Sequence, residues 1–266
     1  MTLIISYLLA IVIGISLGLI GGGGSILTVP VLVYLADIDA TTATAYSLFV
    51  VGLTSAVGSV GYFQKGLVNI KTAIVFGIPS IFAVYLTRAY IIPSIPDEIF
   101  SVGNFTVTRN ILLMLLFAIL MIAASYSMIK KDEKAVETQE TEQVFNYPLI
   151  LLEGSVVGVL TGLVGAGGGF LIIPALVVLS KLSMKQAVGT SLVIIAAKSL
   201  LGFTGELGKT QIDWTFLAIF SAFSVVGIFA GMALSQKIDG KKLKPAFGWF
   251  VLVMGIYILI KETLQF

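Results

Sequence analysis

Residues 18–30 read GLIGGGGSILTVP and residues 162–174 read GLVGAGGGFLIIP. Sliding the chain by 144 residues lays Gly18, Gly21, Gly23, Gly24, Leu27 and Pro30 on Gly162, Gly165, Gly167, Gly168, Leu171 and Pro174. The register continues on both sides. Gly14 falls on Gly158, and Ala43, Ser47, Leu48, Ser55, Gly58, Gly61 and Lys65 fall on Ala187, Ser191, Leu192, Ser199, Gly202, Gly205 and Lys209. Self-similarity held without a gap over so long a stretch marks a duplicated half. The expected division is a first transmembrane repeat at 1–129, a cytoplasmic linker at 130–146 and a second repeat at 147–266. The linker is the one long hydrophilic stretch.

The surroundings of both glycine tracts are apolar. Of 266 residues, 58% are hydrophobic and 11% charged, against about 25% charged in an ordinary soluble domain. Apolar stretches of membrane-crossing length occur at 42–63, 72–92, 107–129, 186–207, 214–234 and 246–260, so six crossings are the expected minimum. Two more, 3–35 and 148–179, are interrupted by the glycines, and each reads as two crossings or as a re-entrant hairpin. The apolar N-terminus has no basic residue after Met1 and runs into glycines that recur later, so it is read as retained structure and not as a signal peptide. The fold class expected is an all-α integral membrane protein of two inverted-topology repeats with glycine-broken, discontinuous helices. The chain has no Cys and no His, which excludes disulfides, Cys or His metal sites and Ser-His or Cys-His catalysis. No metal and no cofactor is expected. Sixteen basic and fourteen acidic residues, without a dense basic block, leave no nucleic-acid footprint.

Orientation follows from the loops, because Lys and Arg are retained on the cytoplasmic side. Lys65 and Lys71, Lys130, Lys131 and Lys134, Lys181 and Lys185, and Lys237, Lys241, Lys242 and Lys244 mark inside segments. Loops 37–41 and 93–106 carry no Lys or Arg, and 208–212 carries only Lys209, so these belong outside. If each glycine-broken region returns to the side it left, all assignments agree with both termini outside and with inverted repeats. Arg88 and Arg109, near outer helix ends, are expected to snorkel to the headgroups.

Inverted repeats with a broken segment at matching places point to a transporter's midplane site. After each glycine tract only about a dozen apolar residues remain, roughly 18 Å as helix, too short to cross. A helix that begins at depth presents unpaired N–H groups and a positive dipole end, which an anion satisfies. Gly14/Gly18 and Gly158/Gly162, spaced by four, read as close-packing positions. The runs at 21–24 and 167–169 are too dense for that, weakening a helix by about 1 kcal/mol per glycine, and read as unwound backbone. Pro30 and Pro174 fit short or kinked helices. The helix after each tract carries a small and polar stripe, Ser47, Val51, Thr54, Ser55 and Gly58 in one half and Ser191, Ile195, Lys198, Ser199 and Gly202 in the other. Lys198 falls mid-membrane, where it cannot snorkel. Its alternative role is a structural pair with Glu153 or Glu206.

Residues 18–30, 162–174 and 187–207 (AVGTSLVIIAAKSLLGFTGEL) resemble the sulfite exporter TauE/SafE family, and the resemblance extends over nearly the whole chain. It implies movement of sulfite, sulfonates or related small sulfur-containing anions. In the family pattern a neutral amide often precedes the serine where this chain has Lys198.

The expectation is therefore a transporter of sulfite or organosulfonates, in the direction of export, working by alternating access. The binding residues expected are Gly22, Gly23, Gly24, Ser25, Ser47, Thr54, Ser55, Gly167, Gly168, Gly169, Ser191, Lys198 and Ser199. An anion channel with the same lining is the alternative. An intramembrane enzyme using a serine and Lys198 is the third reading, weakened because adjacent helix residues point about 100° apart. The partners expected are a small anion, the lipid bilayer and, as an open alternative, a second copy in a homodimer.

Overall fold

The computed structural model describes residues 2–102, 105–129, 147–164, 168–178, 182–208, 211–235 and 240–264. Gly167, the linker at 130–146 and the lysines 181, 209 and 237 lie outside them. The expected first repeat holds α1 (Thr2–Ile20), α2 (Gly23–Tyr34), α3 (Ala40–Gln64), α4 (Ile70–Leu86), a π-helical turn (Thr87–Ile91), the short α5 (Ile92–Ser94) and α6 (Arg109–Ile129). The second contains α7 (Tyr147–Val164), α8 (Gly169–Val178), α9 (Met184–Thr204), α10 (Trp214–Ser235) and α11 (Gly240–Leu264). The fold is all-α, with one small hairpin among the described residues. Among the described residues, the spans Ala40–Gln64, Ile70–Ser94, Arg109–Tyr126, Lys185–Thr204 and Trp214–Ser235 are long and apolar enough to cross a bilayer. The sixth predicted stretch lies within the continuous α11.

Local chemistry starts the helices the same way in both halves. Asp39 caps α3 by accepting the Thr42 N–H at 3.0 Å, and Ser183, its counterpart at 144 residues' distance, caps α9 by accepting from Gln186 at 3.4 Å. Asn69 caps α4 through the Thr72 N–H at 2.9 Å, and its counterpart Asp213 caps α10 through Phe216 at 3.0 Å. The tertiary bonds are exchanged as well. The Asn69 N–H donates to the Thr190 hydroxyl at 2.9 Å, while the Asp213 N–H donates to the Tyr46 hydroxyl, the counterpart of Thr190, at 2.6 Å. Asn69→Ala and Asp213→Ala will each cost about 1 kcal/mol, the usual worth of an N-cap. Thermal unfolding in detergent will show the two losses adding in the double variant, since the two caps start different helices.

The same exchange governs packing. A Cβ added at Gly14 would strike the Ser224 carbonyl of α10, and one at Gly158 would sit 2.6 Å from the Ser80 carbonyl of α4. Gly18 lies against Met232 and Gly162 against Thr87; Gly58 lies against Ile228 and Gly202 against Val84. The expected close-packing role of Gly14, Gly18, Gly158 and Gly162 is thus met, α1 resting on α10 as α7 rests on α4. Between the halves, Gly52 of α3 meets Leu200 of α9, Gly58 meets Leu192 and Gly189 meets Tyr62, so the two counterpart helices cross antiparallel. Their buried side chains, among them Leu48, Val51, Leu192 and Ile195, form the main core. A second cluster joins α2, α6 and α11, where the Tyr34 hydroxyl also donates to Glu262 at 2.8 Å.

Two expectations need correction. The loop at 93–106 contains β1 (Glu98–Val102), paired antiparallel with β2 (Phe105–Thr108) with Val102 opposite Phe105, so α6 starts at Arg109 and not at Val107. β-Branched and aromatic residues in these segments favour pairing over helix. Arg109, at the start of α6, joins Asp97 at 2.6 Å instead of reaching only for headgroups. Arg88 does not snorkel at all: it is fully buried in the π turn. Pro93 has no N–H to return to the Ala89 carbonyl, and the helix widens just before it, Ile92 N–H bonding the Thr87 carbonyl.

Candidate functional site

The helix breaks at both glycine tracts, and in the first over fewer residues than expected. Gly21 adopts φ +74°, a conformation few other residues tolerate, and Gly22 caps α2, so that Gly23 and Gly24 already belong to the helix. In the second half Gly168 has φ +66° and α8 begins at Gly169. Gly24, the counterpart of Gly168, is thus helical, although α1 and α7 end at counterpart residues, Ile20 and Val164. Helix geometry leaves the N–H groups of residues 22–25 and the first N–H groups of α8 without intrahelical acceptors.

The two breaks meet. A Cβ at Gly22 would collide with the backbone of Gly169, and one at Gly169 with the backbone of Gly22. Two positive helix ends are brought to one place. One face of α9 covers them: Val188 and Ser191 lie against Gly21, Ile195 against Gly169, and the Lys198 ammonium against Gly168. Ser191, Ile195 and Lys198, spaced by four and three, belong to the stripe expected from the sequence, whereas Gly202 packs on Val84 and Val188 joins from outside it.

Lys198 is fully buried, and its Nζ donates to the Thr161 hydroxyl of α7 at 3.2 Å. Among the described residues no carboxylate lies within ion-pair distance of it. Glu206 joins Arg88, and Glu153 does not reach Lys198 either, so the structural-pair alternative finds no partner here. A buried ammonium answered by a single neutral hydroxyl keeps most of its desolvation cost, which an anion would offset.

The hydroxyls divide into two groups. Ser25 donates to the Gly22 carbonyl at 2.6 Å, and Ser191 donates to the Val188 carbonyl at 2.8 Å and the Gly21 carbonyl at 3.4 Å, so both stabilise the break. Ser47, Thr54, Ser55 and Ser199 are fully buried with no hydrogen-bond partner among the described residues. The antiparallel register of α3 and α9 brings Thr54 level with Lys198. Gly167 lies outside the described residues.

Sequence reading missed Thr161. Its counterpart is the apolar Leu17, as the counterpart of Lys198 is the neutral Thr54. Two departures from the repeat touch each other, and a search for residues polar or charged in one copy only would have found both, Thr161 by its polarity and Lys198 by its charge.

The family profile described as "Sulfite exporter TauE/SafE" matches residues 6–258. Similar proteins include a "Probable membrane transporter protein" of Xylella fastidiosa, 27% identical over 93% of this chain and 91% of its own. The "Probable membrane transporter protein YunE" of Bacillus subtilis is 26% identical over 96% and 95%. The "Probable membrane transporter protein MJ0441" of Methanocaldococcus jannaschii is 32% identical over 45% and 47%. No solved structure matches the chain. With membrane-length helices, two glycine breaks and a profile match running through both halves, the chain belongs to the sulfite exporter TauE/SafE family and is a membrane transporter.

Proposed function

We propose that the protein moves a small sulfur-containing oxyanion, sulfite or an organosulfonate, out across the cytoplasmic membrane by alternating access. The observation that carries this reading is the buried Lys198 ammonium, without a carboxylate partner among the described residues and set against the start of α8. In the bound state the helix-start amides of α2 and α8 receive the oxygens, Lys198 neutralises the charge, and the unpartnered hydroxyls of Ser47, Thr54, Ser55 and Ser199 complete the shell. The family's description supports sulfite as substrate. Touching helix starts suit one occluded state of a rocking cycle better than a standing channel. The Lys198 ammonium engages Thr161 and not Ser199, which favours transport over a serine-lysine enzyme.

The exchanged caps and antiparallel counterparts support two repeats of opposite orientation, and the basic residues of the short loops then put both termini outside. Single cysteines placed at Asp39 and Lys185 will label from opposite sides of intact cells; labelling from one side would remove the inversion. The substrate is tested by thermal shift of the purified protein with sulfite, sulfate, methanesulfonate and acetate. Sulfite or methanesulfonate will raise the melting temperature, because a ligand stabilises the folded state it prefers. A shift with acetate alone would refute the proposed substrate class.

A further inference from the structure

The largest fully buried side chain outside this site is Arg88. Its Nη1 donates to the Thr44 hydroxyl at 3.0 Å and lies 3.5 Å from the Glu206 carboxylate, itself only 3% exposed. Nε and Nη2 have no acceptor among the described residues. These two donors form one edge of the guanidinium, parallel and spaced to take two oxygens of one oxyanion. Glu206 thus engages one corner of the cation and leaves its bidentate edge open.

The cluster also breaks the repeat. Arg88, Glu206 and Thr44 have Met232, Tyr62 and Val188 as counterparts. The backbone frame is nevertheless the same: Gly205 packs against Arg88 as Gly61 packs against Met232. An arginine has therefore been set where packing alone is met by a methionine, at one end of the bundle only. This end leads to the candidate site. Glu206 lies in the turn just after α9, whose last residue, Thr204, is six residues and about 9 Å along the axis beyond Lys198. Thr161, which holds Lys198, precedes Gly162, which packs on Thr87 beside Arg88.

We propose that the open Nε/Nη2 edge of Arg88 is a second oxyanion station, between Lys198 and the hairpin end of the bundle; it rests on the anion-transport reading above. The station binds weakly by design of its charges. Glu206 offsets the guanidinium, so an anion is held long enough to be passed on and not trapped, as conduction through successive sites requires.

Sulfite uptake into right-side-out and inside-out membrane vesicles carrying the full chain tests this. Arg88→Lys keeps the charge and the partner for Glu206 but loses the two-donor edge. It will raise the half-saturating sulfite concentration about tenfold from one face and leave the other face unchanged. Glu206→Gln keeps an oxygen for Nη1 but removes the competing charge, and will lower half-saturation from that same face. Opposite shifts support the station. Shifts of the same sign, or none, would mean that the pair only ties α9 to the π turn, and would overturn it. If Arg88→Lys does not fold, Arg88→Met/Glu206→Met leaves no lone buried charge; half-saturation unchanged from both faces would again overturn the station. If the wild type moves no sulfite in either orientation, the anion-transport reading itself fails, and the station with it.

Discussion

Lys198→Met will abolish sulfite-dependent stabilisation and transport while the protein still inserts and elutes as the wild type does. Methionine keeps the length and flexibility of the side chain, so the space beside Gly168 stays filled and Thr161 retains its bond to the Val157 carbonyl. Only the charge goes. Removing one member of a buried, hydrogen-bonded charge pair costs about 2–5 kcal/mol, or roughly thirtyfold to several thousandfold in affinity. Without anion the variant should be no less stable than the wild type, and more stable if anything, because an ammonium answered by one hydroxyl is expensive to bury. Gain of stability with loss of transport separates a binding cation from a structural one. Wild-type flux in this variant would remove Lys198 from the site, and loss of stability in the absence of anion would mean that the ammonium has a structural partner.

Gly22→Ala will eliminate transport by a different route. Gly22 has φ −150°, which alanine tolerates, so its glycine is required by proximity alone. The added methyl would enter the backbone of Gly169, which cannot turn aside as a flexible side chain would. The two helix starts must separate, at about 1–3 kcal/mol for overpacking, and their amides then no longer converge on one anion. Transport should fall at least tenfold, with a lowered melting temperature. Gly77→Ala is the control. A Cβ there meets only Ile194 at 3.8 Å, an ordinary contact, and α4 gains helix propensity, so activity should hold and stability rise slightly. Equal behaviour of the two variants would show that the closeness of Gly22 and Gly169 has no bearing on transport.

Much of this was legible before any coordinates. Apolar stretches and capping residues define the helices because lipid and the backbone's own donors leave few alternatives. The repeat located both breaks, since a glycine run cannot remain helical at its densest point without cost, and it marked the α9 stripe through its three-and-four spacing. The reading overextended where it treated the whole run as unwound. Packing restores the helix from Gly23 onward, and Ser25 spends its hydroxyl on closing the break.

Sequence by itself determined the membrane class and the family, and pointed to the internal repeat and to Lys198, because these rest on composition and periodicity, which are properties of the chain. Tertiary structure decided which polar groups meet. Arg88 looked like a snorkelling end residue, yet a π turn carries it inward to Glu206, and Lys198 found Thr161 and not a carboxylate. A side chain's partner depends on the angle and register at which distant helices cross. Neither is encoded in the residue's neighbours along the chain.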